Sequence, residues 1–443
     1  MHGSRGCAMT NPIKQSHIKF ETTFSNNSMS LQYDKETIVL PSQWKNKSPI
    51  LFAAGLALLV TGAVFALFTQ GADKSDGVAA FKFVTHSYLA NFMYVMTIAL
   101  GALFFILVQF VARAGWSTSI RRIAELIMST IPFLAVLFLP IIVLLYANSD
   151  ALYEWNVREN VHSSVIKAKI DVGYLTKNYF TLRAALYFGL WALMGAWFYS
   201  QSRKQDESGD IEHSLLRQKW SGPCIMIFAL SASFAAFDWV MSIDADWFST
   251  IFGVYLFAAG MMAFFATMIL INAGLQKAGK LQNLVSVEHF HDMGKFMFGF
   301  IMFWSYIAFS QLLLYWYGNI PEETYWFAVR LKDGWQYLSY GLIPLHFAIP
   351  FLGTMSRHVR RNRPGLVFWA IWVLVVHWLD MTFLIMPNAG PLSLIPLVGH
   401  LLGGLGMLFI FFAFFLVRAT NVPLVPMRDP RLPESLTYAN PIL

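Results

Sequence analysis

Ten long apolar runs, separated by short polar stretches, set the plan of this chain: residues 51–68, 86–110, 123–146, 180–199, 224–241, 252–273, 293–317, 338–355, 366–386 and 397–417. At about 1.5 Å per residue, runs of about 20 residues cross the roughly 30 Å of hydrocarbon in a bilayer. Only helices and closed barrels satisfy the backbone inside lipid, and a barrel strand alternates apolar with polar positions. These runs are continuous, so the pattern predicts an all-α integral membrane protein of about ten transmembrane helices. A polar segment, 1–48, precedes a membrane domain over 49–420, and a tail, 421–443, follows it. Four helices make one half of the domain, which gives two four-helix bundles, helices two to five and six to nine, with helices one and ten flanking.

Composition agrees: 56% of the 443 residues are hydrophobic and 13% charged, against about a quarter charged in soluble domains. The net charge of +7 comes mostly from alternate loops. Arg113, Arg121, Arg122, Arg203, Lys204, Arg217, Lys219, Lys277, Lys280, Arg357, Arg360, Arg361 and Arg363 fall on one side. The other side is poorer, and the loops between runs five and six and between nine and ten hold no Lys or Arg. The positive-inside rule then puts both termini in the cytoplasm of a multi-pass protein. Basic loops serve topology and anionic lipid here, not nucleic acid. Residues 1–48 lack an apolar core of signal-peptide type, so the first run is expected to act as the targeting segment. Two cysteines, Cys7 and Cys224, cannot supply the four thiolates of an iron–sulfur cluster.

Ionisable groups inside or beside the runs carry the candidate chemistry, because such groups in lipid face the bundle interior and mark function or pairing. The stretch FDWVMSIDADWFSTIFGVYLF holds Asp238 in the last turn of helix five, with Asp244 and Asp246 in the turn that follows. The latter two are expected to be solvated turn carboxylates, with Trp239 and Trp247 in the interfacial aromatic belt. His377 and Asp380, three residues apart, share a face of helix nine. Either the pair fixes helix packing or it exchanges protons. Of eleven histidines only His346 and His377 fall near mid-membrane; they could ligate one haem between helices eight and nine or belong to a polar network. His289, His291, Asp292 and Lys295 cluster at the cytoplasmic end of helix seven. A metal site competes there with a titratable vestibule, and two histidines two apart on a helix point about 200° from each other.

The segments DWVMSIDADWFSTIFGVYLFAAG, HDMGKFMFGFIMFWSYIAFSQLLLYWYGNIPEETYWF and HWLDMTFLIMPN resemble the NrfD-like (polysulfide reductase membrane-subunit type) proteins of bacterial alternative complex III, over about residues 50–420. The resemblance implies a ten-helix subunit of a quinol:cytochrome c oxidoreductase in the bacterial inner (plasma) membrane. Haems and iron–sulfur clusters would lie on partner subunits, including an iron–sulfur and a cytochrome c subunit, beside a related C-type NrfD-like subunit and a terminal oxidase. No cofactor would be bound by this chain itself, apart from menaquinone or another quinone in the alternative reading. Helix three has no ionisable group after Glu125, and helices two and four offer only a few polar groups, His86, Tyr94 and Arg183 among them. That departs from the quinol-binding C-type and favours the F-type subunit.

Two readings follow within that family. In the first the chain braces the complex and conducts protons, the cytoplasmic half of the route running from His289, Asp292 and Lys295 toward His346 and His377. The outer half runs from Asp380 to Asp238. In the second the chain binds quinone, with His86, Tyr94 and Arg183 as pocket residues. A stand-alone secondary transporter is the rival from another class; Gly- or Pro-broken helices in matching places of the two halves, which it would need, are not evident.

Overall fold

The computed structural model describes residues 35–70 and 77–440, so most of the predicted polar segment 1–48, with Cys7, lies outside the described residues. Every apolar run falls on a helix. These are α1 (Ser48–Gln70), α2 (Gly77–Val111), α3 in two parts (Thr118–Met128 and Ile131–Tyr146), α4 (Lys177–Ser208) and α5 (Glu212–Trp239). The second half holds α6 (Phe252–Lys277), α7 (Val287–Gly318), α8, α9 (Arg363–Ile385) and α10 (Leu394–Ala419). Helix α8 has three parts: Gln336–Leu342, a wide π turn over Ile343–Ala348, and Ile349–Met355. Among the described residues nine helices are long and apolar enough to cross a membrane. The exception, α4, is as long, but Tyr187, Trp191, Trp197 and Tyr199 dilute its apolar middle. The chain is an all-α integral membrane protein.

The interruptions have local causes. Proline cannot donate a helical hydrogen bond: Pro132 opens the second part of α3, and Pro344 and Pro350 sit within the first residues of the π turn and of the last part of α8. The interrupted helices, third and eighth, are not counterparts in a repeat of four.

Packing follows the predicted two bundles. Helices α2 to α5 pack together, α6 to α9 pack together, and α2 meets α6 and α9 along the seam. Accordingly α2 and α6 are 78% and 83% buried over their most apolar windows, while α1 is 17% buried. Apolar side chains gain nothing by leaving lipid for protein, so close backbone approach and hydrogen bonds must hold helices together. The α1–α10 pair uses glycine: a Cβ on Gly62 would sit 2.5 Å from the Gly399 carbonyl oxygen, and one on Gly55 2.7 Å from that of Gly406. Hydrogen bonds tie α10, α2 and α9 to one another. His400 Nδ1 lies 2.8 Å from Ser87 Oγ, its Nε2 lies 2.9 Å from Thr382 Oγ1, and Trp378 Nε1 donates to Asn91 Oδ1 at 2.8 Å.

Below, the face rich in Lys and Arg loops is the basic face; the other is the opposite face.

Candidate functional site: a lipid-facing cleft in the second bundle

Helix α5 brings Asp238 to the opposite face, where it is 1% exposed and fully engaged. Arg183 of α4 donates from Nε to Oδ2 at 2.7 Å and from Nη2 to Oδ1 at 2.9 Å. Tyr174 and Tyr187 add hydroxyl donors at 3.0 and 2.8 Å. A two-pronged guanidinium contact of this kind fixes geometry, and it ties α4 to α5. Asp244 and Asp246 differ from expectation. Both are half-buried and accept hydrogen bonds from Tyr325 and Ser163, because the loops before α4 and after α7 fold over their turn. The three groups named for a quinone pocket in the first bundle do not converge: Arg183 serves Asp238, His86 Nδ1 lies 2.8 Å from the Lys82 carbonyl, and the Tyr94 ring packs on His377 at 5.4 Å.

At the seam the sequence-named pair His377 and Asp380 is brought together with His346. All three are fully buried. His377 Nε2 lies 2.9 Å from Thr97 Oγ1 on α2. Asp380 accepts from Tyr255 Oη on α6 at 2.5 Å and from Trp304 Nε1 on α7 at 3.2 Å. Both donors are neutral, and among the described residues no cation lies within ion-pair distance of this carboxyl. Removing an ion from water is offset only by a good partner, so among the described residues Asp380 is a fully buried acid that lacks a countercharge. The π turn presents His346 against Trp304, ring centres 3.7 Å apart, with neither imidazole nitrogen hydrogen-bonded. His377 Nδ1 is also without a partner.

Beside this cluster a cleft of about 660 Å³ opens between α7 and α8. Its rim residues Tyr306, Phe309, Tyr340 and Ile343 are exposed on the apolar flank of the molecule, which makes the cleft accessible from lipid. Its floor reaches Tyr255 and Trp304, the two residues that hold Asp380. Gln311 and Arg330 line it as well. Gln311 is 4% exposed with Nε2 unpaired. Arg330, on the short helix Pro321–Arg330, donates to the carbonyls ending α9, Phe383 at 3.1 Å and Leu384 at 2.6 Å. Burial pulls its guanidinium down to about 9, so it remains a cation at neutral pH. The cleft therefore has apolar walls with a few convergent polar groups, the usual build of a small-molecule site.

The basic-face cluster is real, but it is covered. Ser286 caps α7 and pairs with His289 Nδ1. Ser435 of the C-terminal tail lies 3.0 Å from His289 Nε2. Tyr438 and Asn440 donate to Asp292, beside the 2.6 Å bridge from Lys295. Burial and the Asp292 carboxylate hold the Tyr438 hydroxyl above its ordinary range, so it stays a donor. No group of three metal-ligating side chains forms among the described residues. Between Asp292 and Trp304 the buried residues of α7 include Met293, Met297 and Ile301, all apolar over roughly 18 Å of helix. The neighbouring α6 carries buried polar groups instead: Gln276, Asn272 and Thr267.

The sequence marks Gln311, with Ser305, Tyr306 and Ser310, as polar groups continuing along helix seven, but gives no role to Tyr255, Trp304, Arg330 or this α6 series. Spacing is a signal only for the α6 series, where Thr267, Asn272 and Gln276 recur every four or five positions. Comparison of the chain with protein-family models gives no match, and comparison with curated proteins finds no relative.

Proposed function

We propose that the chain is a membrane subunit of a quinol-oxidising respiratory complex, of the alternative complex III type that the sequence resembles, and that it contributes a quinone site in its second bundle. The cleft between α7 and α8 carries this reading. A quinone head bears ring oxygens that accept hydrogen bonds, and its isoprenoid tail is apolar. The residues present fit such a group. Gln311 Nε2 and the Arg330 guanidinium would hold head oxygens, and the exposed rim would leave the tail in lipid. The bound group supplies redox chemistry at its ring. The protein's part is orientation and proton handling: Tyr255 Oη stands between the cleft and the Asp380 carboxylate, which can take a proton without disturbing any ion pair. Haems and iron–sulfur clusters belong, on this proposal, to partner subunits, and both termini face the cytoplasm of a bacterial plasma membrane.

The lack of a countercharge at Asp380 also supports proton conduction. Its basic-side half would follow Gln276, Asn272 and Thr267 toward His377, with water links between groups, in place of the apolar face of α7. Asp238 belongs on this proposal to packing.

Photoaffinity labelling of the intact complex with an azidoquinone tests the quinone site. Crosslinks to peptides containing Tyr306, Phe309 or Tyr340 are expected. Labelling confined to another subunit would remove the site from this chain.

A further inference from the structure

The C-terminal tail is held very unevenly along its length. Its first part is firmly seated. Asn421 and Leu424 donate backbone hydrogen bonds to Leu40 and Ile38 at 3.1 and 2.8 Å, and Leu424, Val425 and Leu432 are 0 to 1% exposed. Asp429 enters a buried ionic group. It pairs with Arg121 at 3.1 Å and Arg217 at 3.8 Å, and Arg122 in turn pairs with Glu125 at 2.8 Å and Asp206 at 2.7 Å. Removing one member of such a group leaves an unpaired buried charge, so this stretch does not peel away readily. Ser435, 0% exposed, ends the anchored part by donating to the Trp116 carbonyl at 2.6 Å.

Among the described residues beyond Ser435 none is fully buried. Residues 436–440 are held mainly by Tyr438 and Asn440, and what those side chains bind is distinctive. Tyr438 Oη donates to Asp292 Oδ2 at 2.6 Å, and Asn440 Nδ2 donates to Asp292 Oδ1 at 3.1 Å and to Glu288 Oε2 at 3.0 Å. Lys295 Nζ reaches Asn440 Oδ1 at 3.0 Å and Asp292 Oδ1 at 2.6 Å. Arg361 closes the far side of Glu288. Tyr438 and Asn440 are themselves only half-buried, and polar contacts made by such groups exchange with water more readily than those of a packed core. Four side chains, Tyr438 and Asn440 of the tail with Lys295 and Arg361, thus occupy the acceptor sites of Asp292 and Glu288 at the aqueous end of the second bundle.

We infer that residues 436–440 form a flap hinged at Ser435, which covers the Asp292 and Glu288 carboxylates and whose opening admits protons to the second bundle. The gating half of this inference rests on the proton-conducting reading given above, whose first group, Gln276, donates to the Val285 carbonyl at 2.6 Å beside the Ser286 cap of α7; the covering half does not.

Carboxyl labelling of the full chain within its complex, using a water-soluble carbodiimide and an amine, tests it. Tyr438→Phe with Asn440→Ala should raise labelling of Asp292 at least about fivefold, while exposed Glu212 on the same face labels equally in both proteins. A second variant, Lys295→Cys with Asn440→Cys joined by a short bismaleimide, should hold Asp292 labelling at or below the wild-type level and slow proton uptake. Equal Asp292 labelling in wild type and the double variant would overturn the flap. A rise in labelling with proton uptake unchanged in the crosslinked protein would uphold the cover and overturn the gate. If Asp380→Asn also leaves proton uptake intact, the fault lies in the proton reading and not in the flap.

Discussion

Two aspartates buried at membrane depth, Asp238 and Asp380, have been given opposite surroundings. Asp238 holds a guanidinium on both oxygens and two phenols besides; Asp380 holds a phenol and an indole. Changing each to asparagine should therefore separate stability from activity. Asp238→Asn strands Arg183, whose side chain is 20% exposed. Breaking a buried pair costs about 3 to 5 kcal/mol, and partial exposure brings the expected loss nearer about 2 kcal/mol. Thermal unfolding of the purified complex would register it, with quinol oxidation at matched temperature unchanged. Asp380→Asn keeps size and hydrogen-bonding reach but removes the proton acceptor. Quinol oxidation should fall about 100-fold, the lower range for loss of a positioned acid or base, and proton release should fall with it. Wild-type rates on both counts would return Asp380 to packing. Both aspartates stand out in the sequence as charges in apolar surroundings. Their partners do not, because Arg183 lies 55 residues from Asp238 and Tyr255 lies 125 from Asp380.

Helix existence was legible because hydrophobic length alone decides it; helix shape was not. The 18-residue run at 338–355 gives no hint of a π turn, yet the turn between Pro344 and Pro350 puts His346 against Trp304. The tail's course was also hidden: residues 421–440 have no apolar period, and buried ion pairs set their path. Helix pairing could be read only in part. Gly399, Gly403 and Gly406 are spaced to line one face of α10, but their partners Gly55 and Gly62 on α1 declare themselves only by contact. Gly399→Val is expected to push α1 off α10, since even its Cβ would lie 2.5 Å from the Gly62 carbonyl oxygen. The cost should be about 1 to 3 kcal/mol, the range for overpacked sites. A lowered midpoint in detergent unfolding checks this, and an unchanged midpoint would mean the pair separates freely.

For the molecule as a whole, the orientation still rests on the positive-inside rule, and single cysteines can test it. A cysteine replacing exposed Glu212 in the basic face should react with an impermeant maleimide only from the cytoplasmic side; one replacing exposed Asn160 should react only from outside. The reverse pattern would invert the topology and place the flap on the wrong side for proton uptake. The cleft between α7 and α8 is the central claim, and filling it is the most direct test. Ala308 lines the cleft and is half-buried, so Ala308→Trp puts an indole into the space proposed for the quinone head while Asp380, Tyr255 and Trp304 themselves are left unsubstituted. The measurement is steady-state quinol oxidation by the assembled complex carrying this substitution. A fall of about tenfold or more, with subunit content unchanged, is the predicted result; a wild-type rate with the cleft filled would contradict the account.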